Sequence, residues 1–186
     1  MKDNPITIGF DDARFELKSH KKKTQLIGVV CQGTRMVNVV KKEILIDGDD
    51  ATEALVELVK LNLNHIQYIL TDTITFGGFN IIDLDEIYNR IKKPIIAITE
   101  REVDLELVKN TIINKFPNNF KVKLRNIVNA GNLYETNIET AGGISKVYFH
   151  SKGINKLEVE PLFEKICIDS KLPESVRLAH IIGRMF

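Results

Sequence analysis

The chain begins with three β-rich segments that leave no room for helices between them. They lie at 5–10, 24–33 and 36–46, and a Gly-Thr-Arg turn separates the second from the third. β-Branched residues dominate the two longer segments, which is typical of strands. The short connections between these segments form hairpins, in which neighbouring strands pair antiparallel. A fully parallel, doubly wound sheet is therefore excluded, because it would need a helix after each strand.

After position 50 the pattern changes to alternating helices and strands. Apolar residues take helical spacing there, and helix crossovers place successive strands parallel. Between 117 and 143 the chain is Asn-rich, and we predict irregular structure with one or two strands. The last thirty or so residues predict two helices, the second opening at Pro173. The other predicted elements are helices at 51–63, 83–93 and 103–116 and strands at 67–72, 94–99 and 146–150.

The simplest topology for this order is a five-stranded mixed sheet, order 3-2-1-4-5, with helices on both faces. This α/β arrangement is the ribonuclease H-like layout. Strands 1, 3 and 4 run parallel in it, so their carboxyl ends share one edge of the sheet. Strands 1 and 4 are neighbours, about 5 Å apart, where the chain reverses direction across the sheet. Ligands of open sheets bind at such a point.

Length and composition fit one cytoplasmic domain. The chain has 186 residues, 44% hydrophobic and 27% charged, with a net charge of +1. That charge favours neither nucleic acid nor a membrane surface, so any basic binding site must be local. We find no signal peptide and no apolar run near the ~20 residues that span a bilayer. Cys31 and Cys167 lie in apolar runs and are expected to be buried thiols.

Acidic residues gather at the shared edge of the predicted sheet. Asp11 ends strand 1, Asp47 ends strand 3 and Asp72 ends strand 4. Two facing carboxylates stay ionised only with a cation between them, and oxygen ligands without histidine suit Mg²⁺ or Mn²⁺. We therefore predict a metal and catalytic centre of Asp11, Asp72 and a third acid. Asp50 is the best-placed third ligand, and Asp47 and Asp49 are alternatives.

Capping explains the same acids without a metal. Asp50 and Glu53 have the spacing of a capping box at the start of a helix. Asp72, followed by Thr73 and Thr75, has the composition of a capped loop. The spacing alone leaves both interpretations open.

Two loops at this edge are candidates for contacts with nucleic acid. Lys21, Lys22 and Lys23 lie between strands 1 and 2, where they form either a solvated turn or a salt-dependent phosphate contact. Gly77 and Gly78 permit close approach of the backbone to a ligand. Their neighbours, at 76 and 79, are phenylalanines that could stack on a base, and we assign Phe79 to the core.

The last helix carries a third candidate. Arg177, His180 and Arg184 share one stripe of an otherwise apolar helix. We interpret the stripe as the wet face of the helix, with Arg177 paired to an acid. The alternative is a row that faces phosphates, which makes Arg177 a candidate nucleic-acid contact.

Four ordered motifs resemble a known family. They are IGFDDARF, ILIDGDDATEAL, ILTDTITFGGFNIIDLDEI followed by PIIAI, and LPESVRLAHII. Together they are similar to an archaeal family of unknown function (domain of unknown function 99), which resembles endonuclease V in fold and motif order. The resemblance covers nearly the whole chain. It implies a ribonuclease H-like fold and Mg²⁺-dependent cleavage of nucleic acid near deaminated adenine.

The resemblance also assigns residues. It places the two metal-binding aspartates of endonuclease V on Asp11 and Asp72, and its metal-binding glutamate within 47–50. The closing Pro-Glu-x-x-Arg-x-Ala signature matches 173–179. The catalytic histidine of endonuclease V falls on Ile154, with His150 near but not aligned. Its His-Pro-Arg loop and its Pro-Tyr-Ile-Pro wedge have no counterpart.

Three functions are compatible with these features. The first is a metal-dependent, endonuclease V-like nuclease or phosphodiesterase acting on RNA or DNA. The second is a non-catalytic binder of nucleic acid or a nucleotide that keeps the fold without a complete active site. The third is a scaffold whose acids only cap loops. Cleavage that requires both metal and Asp11 separates the first from the others.

Overall fold

The computed structural model describes residues 2–16 and 22–186, and its centre is a seven-stranded sheet. The sheet has the order β3-β2-β1-β4-β7-β9-β8, and β5 and β6 form a separate two-stranded ribbon. The strands are β1 Ile6–Asp12, β2 Lys23–Gln32, β3 Arg35–Leu45, β4 Tyr68–Asp72, β5 Thr75–Phe76, β6 Asn80–Ile81, β7 Ile95–Thr99, β8 Tyr134–Thr140 and β9 Gly143–Lys152. The helices are α1 Ala51–Lys60, α2 Leu84–Ile91, α3 Leu105–Lys115, α4 Phe120–Ala130, α5 Lys156–Ile166 and α6 Glu174–Gly183.

The first five strands of the sheet confirm the predicted order and directions. β2 pairs antiparallel with both β1 and β3, while β4 pairs parallel with β1 and with β7. The prediction of five strands is wrong by two, because the β8–β9 hairpin continues the sheet beyond β7. β8 was predicted only as one of one or two strands without a position in 117–143, because Ile138 is its one fully buried side chain, which leaves little apolar alternation.

The Asn-rich segment is more regular than predicted, since it contains α4. The buried side chains of α4 are Lys123, Asn126, Ile127 and Ala130. Two of these four are polar, so the apolar period that marks a helix in a sequence is absent. The irregular structure predicted for this part of 117–143 is therefore wrong.

Helices cover both faces of the sheet. On one face Ile8 and Phe10 of β1 pack with α1 and α2, and on the other Leu70 of β4 packs with α5 and α6. Cys31 and Cys167 are buried free thiols, as predicted. No helix of the described residues is long and apolar enough to span a membrane.

Helix α6 lies unusually close to β1. A Cβ atom on Gly9 would come within 2.4 Å of the Ser175 backbone, and one on Gly183 within 2.7 Å of the Asp12 carbonyl oxygen. The hydroxyl groups of Thr7 and Ser175 also lie 3.0 Å apart. The glycines on both elements allow this approach, which brings the side chains of α6 to the end of β1.

Candidate metal centre at the sheet edge

Strands β1 and β4 bring the two predicted acids to the same edge. They pair in parallel, with Phe10 opposite Thr71, so Asp11 and Asp72 follow at matching positions. Leu70, two residues before Asp72, packs on the face that α5 and α6 cover. Side chains two apart on a strand share a face, so Asp72 points to the side of the sheet that α6 occupies.

Asp11, Asp72 and His180 form a compact group. One ligand atom from each of the three lies within 4.8 Å of the others. The Nδ1 atom of His180 is 2.6 Å from one carboxylate oxygen of Asp11. The other Asp11 oxygen accepts the backbone N–H of Asp12 at 2.8 Å. Both Asp11 oxygens are thus held in place, and the group presents two carboxylates and an imidazole to a common point.

Burial makes this group unfavourable for negative charge. The pKa of Asp72 is raised to about 7, chiefly by burial and next by the neighbouring charge of Asp11. Burial also raises the pKa of Asp11, against the opposing effect of its hydrogen bond with His180. The pKa of Asp12 is raised to about 6, again chiefly by burial. A cation at this point would relieve the cost of holding these carboxylates ionised.

Among the described residues, none donates a hydrogen bond that affects the pKa of Asp72. A loop cap must accept a backbone N–H. The capped-loop interpretation of Asp72 is therefore wrong for the described residues, and its carboxylate remains available to a ligand.

An open cavity of about 570 Å³ lies over the three residues. Arg14, Phe15 and Arg184 line it together with the acids. The positive charge of Arg184 is close enough to oppose the rise in the pKa of Asp11. The cavity therefore combines an acidic floor with two guanidinium groups that could contact phosphate oxygens.

Asp50 is not part of this group. Its carboxylate accepts the backbone N–H of Leu45 at 3.1 Å and the side-chain amide of Asn80 at 2.6 Å. It makes no capping hydrogen bond to α1, although it occupies the N-cap position. The capping-box prediction is wrong, and the residue that the structure places with Asp11 and Asp72 is His180 instead of Asp50. The reason is local: the turn after β3 directs Asp50 toward the Asn80 loop instead of across the sheet.

Asp47 and Asp49 are also used within the fold. Asp47 accepts the backbone N–H of Phe79 at 2.9 Å and pairs with Lys115 at 2.8 Å. Asp49 pairs at 2.8 Å with Lys123, whose side chain is completely buried. The Asp47 prediction is corrected in the same way as that of Asp50, because these acids tie the turn after β3 to α3 and α4.

The glycine loop is held against the edge by Asp12. The backbone N–H of Gly77 donates to the Asp12 carboxylate at 2.5 Å, which uses a donor that was predicted to face nucleic acid. Gly78 lines a separate cavity. Phe76 is the core residue of this loop and Phe79 is half-buried, so the assignment of Phe79 to the core is wrong.

The three lysines that were predicted to contact nucleic acid do not share one environment. Lys21 lies outside the described residues, Lys22 is exposed, and Lys23 pairs with Glu43 at 2.5 Å. Both described lysines stand at the start of β2, beside the end of β1. They therefore share the edge on which the acids lie.

Arg177 is held by an acid, as predicted. Two of its nitrogens contact the two Glu174 carboxylate oxygens at 2.6 and 2.8 Å, and Glu174 is largely buried. Arg184, from the same stripe, lines the cavity over the acids instead. Of the two arginines, Arg184 is the better candidate for a phosphate contact.

His180 is the residue of this site that the sequence did not reveal. Its stripe on α6 was interpreted as a wet face, and no histidine was expected among the ligands. The available signal was Gly9 in β1 together with Gly183 in α6, because small residues on both elements permit the close packing that delivers His180 to Asp11.

Comparison with known proteins gives consistent matches along the chain. A family model described as endonuclease dU matches residues 6–186. A UPF0215 protein of Nanoarchaeum equitans is 37% identical over 180 residues, which cover 95% of this chain and 85% of that protein. A UPF0215 protein of Methanocaldococcus jannaschii is 32% identical over 189 residues, covering 100% of this chain and 96% of the relative.

Solved structures match as well. A protein of unknown function from Archaeoglobus fulgidus has a TM-score of 0.82 at 27% identity, with 96% of each chain covered. Endonuclease V from Bacillus subtilis gives 0.60 at 14% identity, covering 96% of this chain and 78% of that one. Endonuclease V from Ciona intestinalis, solved with a DNA that contains an inosine, gives 0.56 at 13% identity, with coverages of 95% and 82%. The last two likenesses show an endonuclease V-like fold.

Proposed function

Because this chain belongs to the endonuclease dU family, we propose that it is a metal-dependent nuclease that hydrolyses a phosphodiester bond of DNA or RNA. The observation that supports this most is the group of Asp11, Asp72 and His180 within 4.8 Å. The endonuclease V structure with an inosine-containing DNA adds that a fold of this kind accommodates nucleic acid.

The three residues fit a divalent cation. A buried carboxylate, Asp11, and a half-buried one, Asp72, have raised pKa values and lie close together, and the described residues give Asp72 no hydrogen bond that would replace a metal. Carboxylates suit Mg²⁺ and Mn²⁺, and imidazole is compatible with Mn²⁺ and other transition metals. Asp11, Asp72 and His180 would hold the ion. When bound, it would supply an activated water molecule and neutralise charge on the leaving oxygen.

The protein's own groups have separate tasks in this proposal. In the metal-free protein His180 orients Asp11 through their 2.6 Å contact, and the nitrogen that makes this contact would bind the ion in its place. Asp72, whose pKa is raised to about 7 without a metal, would be kept ionised by the cation that it binds. Arg14 and Arg184 line the cavity above the acids and would bind the phosphates on either side of the bond that breaks.

The non-catalytic alternative depends on the absence of the histidine and the arginine that complete endonuclease V, whose histidine position falls on Ile154. His180 lies against Asp11 from another helix, and Arg14 and Arg184 line the cavity over the acids, which favours the nuclease. A binder would still be the better description if cleavage fails under every condition below.

The direct test is cleavage of end-labelled oligonucleotides. Strands that carry one deoxyuridine, one inosine or neither would be incubated with Mg²⁺, with Mn²⁺ or with a chelator. We expect metal-dependent products from at least one modified strand. Products that persist in the chelator, or no products with either metal, would reject a metal-dependent nuclease.

Replacing Asp72 with asparagine is expected to stabilise the metal-free protein as the pH rises. Asp72 has a folded pKa of about 7 against an ordinary 3.8, so between these values the folded state binds more protons than the unfolded state. Its stability therefore falls as the pH rises through this window, and Asp72→Asn removes that loss. One pKa unit corresponds to 1.36 kcal/mol, and after allowance for relaxation of the site we expect a gain of about 1–2 kcal/mol at pH 8 and almost none at pH 4.

Melting curves at the two pH values, with chelator and with excess Mn²⁺, measure this. Asp104→Ala is the control for a capping aspartate, because Asp104 caps α3 through two backbone N–H groups and loss of such a cap should destabilise at pH 8 by about 1 kcal/mol. The parent should gain stability from Mn²⁺ that Asp72→Asn lacks. An Asp72→Asn protein that melts lower than the parent at pH 8 in chelator would contradict the role given to Asp72.

The affinity for nucleic acid is expected to depend on the lysines that lie between β1 and β2 in the sequence, and this dependence should weaken as the salt concentration rises. Each phosphate neutralised contributes about 0.9 to the slope of log affinity against log salt concentration on duplex DNA. Replacing Lys21, Lys22 and Lys23 with serine should therefore reduce the slope by about two to three. The control is the Lys60→Ser, Lys93→Ser protein, since Lys93 precedes the amino end of β7 at the opposite edge. Equal slopes for the parent and the triple variant would show that these lysines form a solvated turn and make no contact with phosphates.

A further inference from the structure

Another open cavity lies beside the one over the acids, on the side where β2 begins. It measures about 490 Å³, and sites for drug-sized ligands, which include single nucleotides, measure roughly 300–1,000 Å³. Residues 13–15 line this cavity and also the cavity over Asp11 and Asp72. The two spaces therefore share one wall, and a chain-like ligand passes from one to the other by crossing three residues.

The shared wall is held by backbone hydrogen bonds to the neighbouring elements. The N–H of Ala13 donates to the carbonyl oxygen of Gln25 in β2 at 2.7 Å. The N–H of Arg14 donates to the carbonyl oxygen of Gly183 in α6 at 3.3 Å. The backbone that leads into Phe15 is thus fixed between β2 and the end of α6.

Phe15 is the aromatic residue of this wall. Its side chain is half-buried and borders both cavities. Among the described residues, it belongs to none of the four apolar clusters that form the core. Phe186 adds a second ring to the lining of the 490 Å³ cavity, and the Nζ atom of Lys41 lies 4.1 Å from the centre of that ring. The cavity therefore offers aromatic surface that the core does not use.

The rest of the described lining is polar and carries charges of both signs. Arg14 and Lys22 are exposed, while Lys23 and Glu43 form an ion pair at 2.5 Å in which both side chains are about half exposed. Glu16 is the other acid of the lining. Exposed cations beside aromatic rings are the combination with which proteins bind single strands, because the cations contact the backbone and the rings stack on the bases.

We propose that this cavity is a stacking subsite for the nucleotide next to the scissile phosphate, and that the base of this nucleotide stacks on Phe15. A strand whose phosphodiester lies over the acids places the adjacent base against the ring by passing over the shared wall. A base inside a duplex is already stacked between its neighbours, so the subsite selects an unpaired nucleotide. Every base has a π-face, so the subsite accepts all bases alike. This assignment rests on the proposed function and defines its substrate as a strand that is unpaired at this nucleotide.

Binding in chelator tests the subsite without any cleavage. Short oligothymidylate strands and strands of the same length built from abasic units carry equal numbers of phosphates and differ only in their bases. Both would be titrated by fluorescence anisotropy against the parent and against Phe15→Leu, which removes the ring and keeps an apolar side chain. A base stacked on an aromatic ring contributes about a factor of ten or more to affinity. Phe15→Leu should therefore lose about that factor for oligothymidylate and almost nothing for the abasic strand.

Two further variants separate stacking from folding. Phe15→Tyr retains a ring and should restore tight binding of oligothymidylate. Tyr88→Leu also replaces a half-buried ring with leucine and should leave both affinities unchanged. Its ring packs against Gly153, beside the amino end of β7 at the opposite edge of the sheet. Oligoadenylate and oligocytidylate should depend on Phe15 as oligothymidylate does, and ribose and deoxyribose versions of the strands decide between RNA and DNA.

Two results would overturn the subsite. The first is a folded Phe15→Leu protein that binds oligothymidylate as tightly as the parent does, or that loses affinity equally for both strands. The second needs no variant: a parent that binds the abasic strand as tightly as oligothymidylate, or that binds neither strand, makes no use of stacked bases.

The subsite and the nuclease fail in different ways. A parent that needs bases and Phe15 for tight binding but cleaves no strand refutes the nuclease and supports the subsite. A parent that cleaves, with a Phe15→Leu protein that binds and cleaves equally well, supports the nuclease and refutes the subsite. Where the parent cleaves, one abasic unit would be moved along the strand, and the effect of Phe15→Leu should vanish only when that unit is next to the cut. Its loss at a distant position instead would refute a subsite beside the scissile phosphate.

Discussion

Replacing Asp11 with asparagine is expected to lower metal-dependent cleavage by about a thousandfold or more. Asparagine keeps the size of the side chain and one oxygen for the Asp12 N–H, but it removes the charge that would hold the cation with Asp72. Metal ions contribute several kcal/mol of transition-state stabilisation, and each 1.36 kcal/mol is tenfold in rate. Single-turnover cleavage of a deoxyuridine or inosine strand measures the loss. Thermal stabilisation by Mn²⁺ should disappear with it.

Asp50→Asn is the informative control for Asp11→Asn. Asp50 was the predicted third ligand, yet its carboxylate accepts hydrogen bonds from Leu45 and Asn80. The variant should retain most activity and its response to Mn²⁺, with a small loss of stability. An Asp50→Asn protein as inactive as Asp11→Asn would return the third position to Asp50. A fully active Asp11→Asn protein would remove the centre from this edge.

The strand order and the main acid pair were predictable because both follow from local rules. Three β-rich segments joined by hairpins, then helix crossovers, determine which strands are neighbours and which are parallel. Asp11 and Asp72 then meet because each ends one of two adjacent parallel strands. Predicting this pair needs only the order and direction of the strands, so the sequence alone was sufficient for Asp11 and Asp72.

His180 was not predictable in the same way because its position depends on packing. It lies 169 positions from Asp11 along the chain, on a helix whose polar stripe looks like an ordinary solvent face. Whether His180 reaches the acids depends on how closely α6 packs against β1. This close packing is set by the bare backbone at Gly9 and Gly183, which hydrophobic periodicity does not report.

The acids of 47–50 were misassigned because spacing cannot distinguish ligands from internal ion pairs. Asp49 pairs with Lys123, which lies in the segment that was predicted to be irregular, and a buried lysine breaks the apolar pattern of α4. Asp47 pairs with Lys115, and Asp50 accepts hydrogen bonds from Leu45 and Asn80. A metal site and a set of internal contacts both require acids at a loop, and only the positions of these partners separate the two explanations.

Replacing Lys123 with methionine is expected to destabilise the protein by about 3–5 kcal/mol. The Lys123 side chain is completely buried, and its Nζ atom donates to Asp49 at 2.8 Å and to the carbonyl oxygens of Asp47, Gly48 and Phe79 at 3.2, 2.8 and 2.7 Å. Methionine fills the space but leaves the three carbonyl oxygens without a partner, and each buried acceptor left unpaired costs about 1–3 kcal/mol. Asp49 is 41% exposed, so its uncompensated charge adds only a small share. Since 1 kcal/mol shifts the melting temperature by about 2–4 °C at this size, we expect a fall of roughly 6–20 °C.

Lys115→Met provides the same chemical change on the same turn without burial. Lys115 pairs with Asp47 at 2.8 Å, and its side chain is 41% exposed, so its loss should cost less than about 1 kcal/mol. In Lys123→Met the turn after β3 also loses its tie to the Phe79 loop, and amide hydrogen exchange should rise in both segments together. Adding Asp49→Asn to Lys123→Met should recover part of the loss, because the stranded carboxylate is then neutral. Equal melting temperatures for the Lys115 and Lys123 variants would contradict the role given to the buried Lys123 in holding this turn.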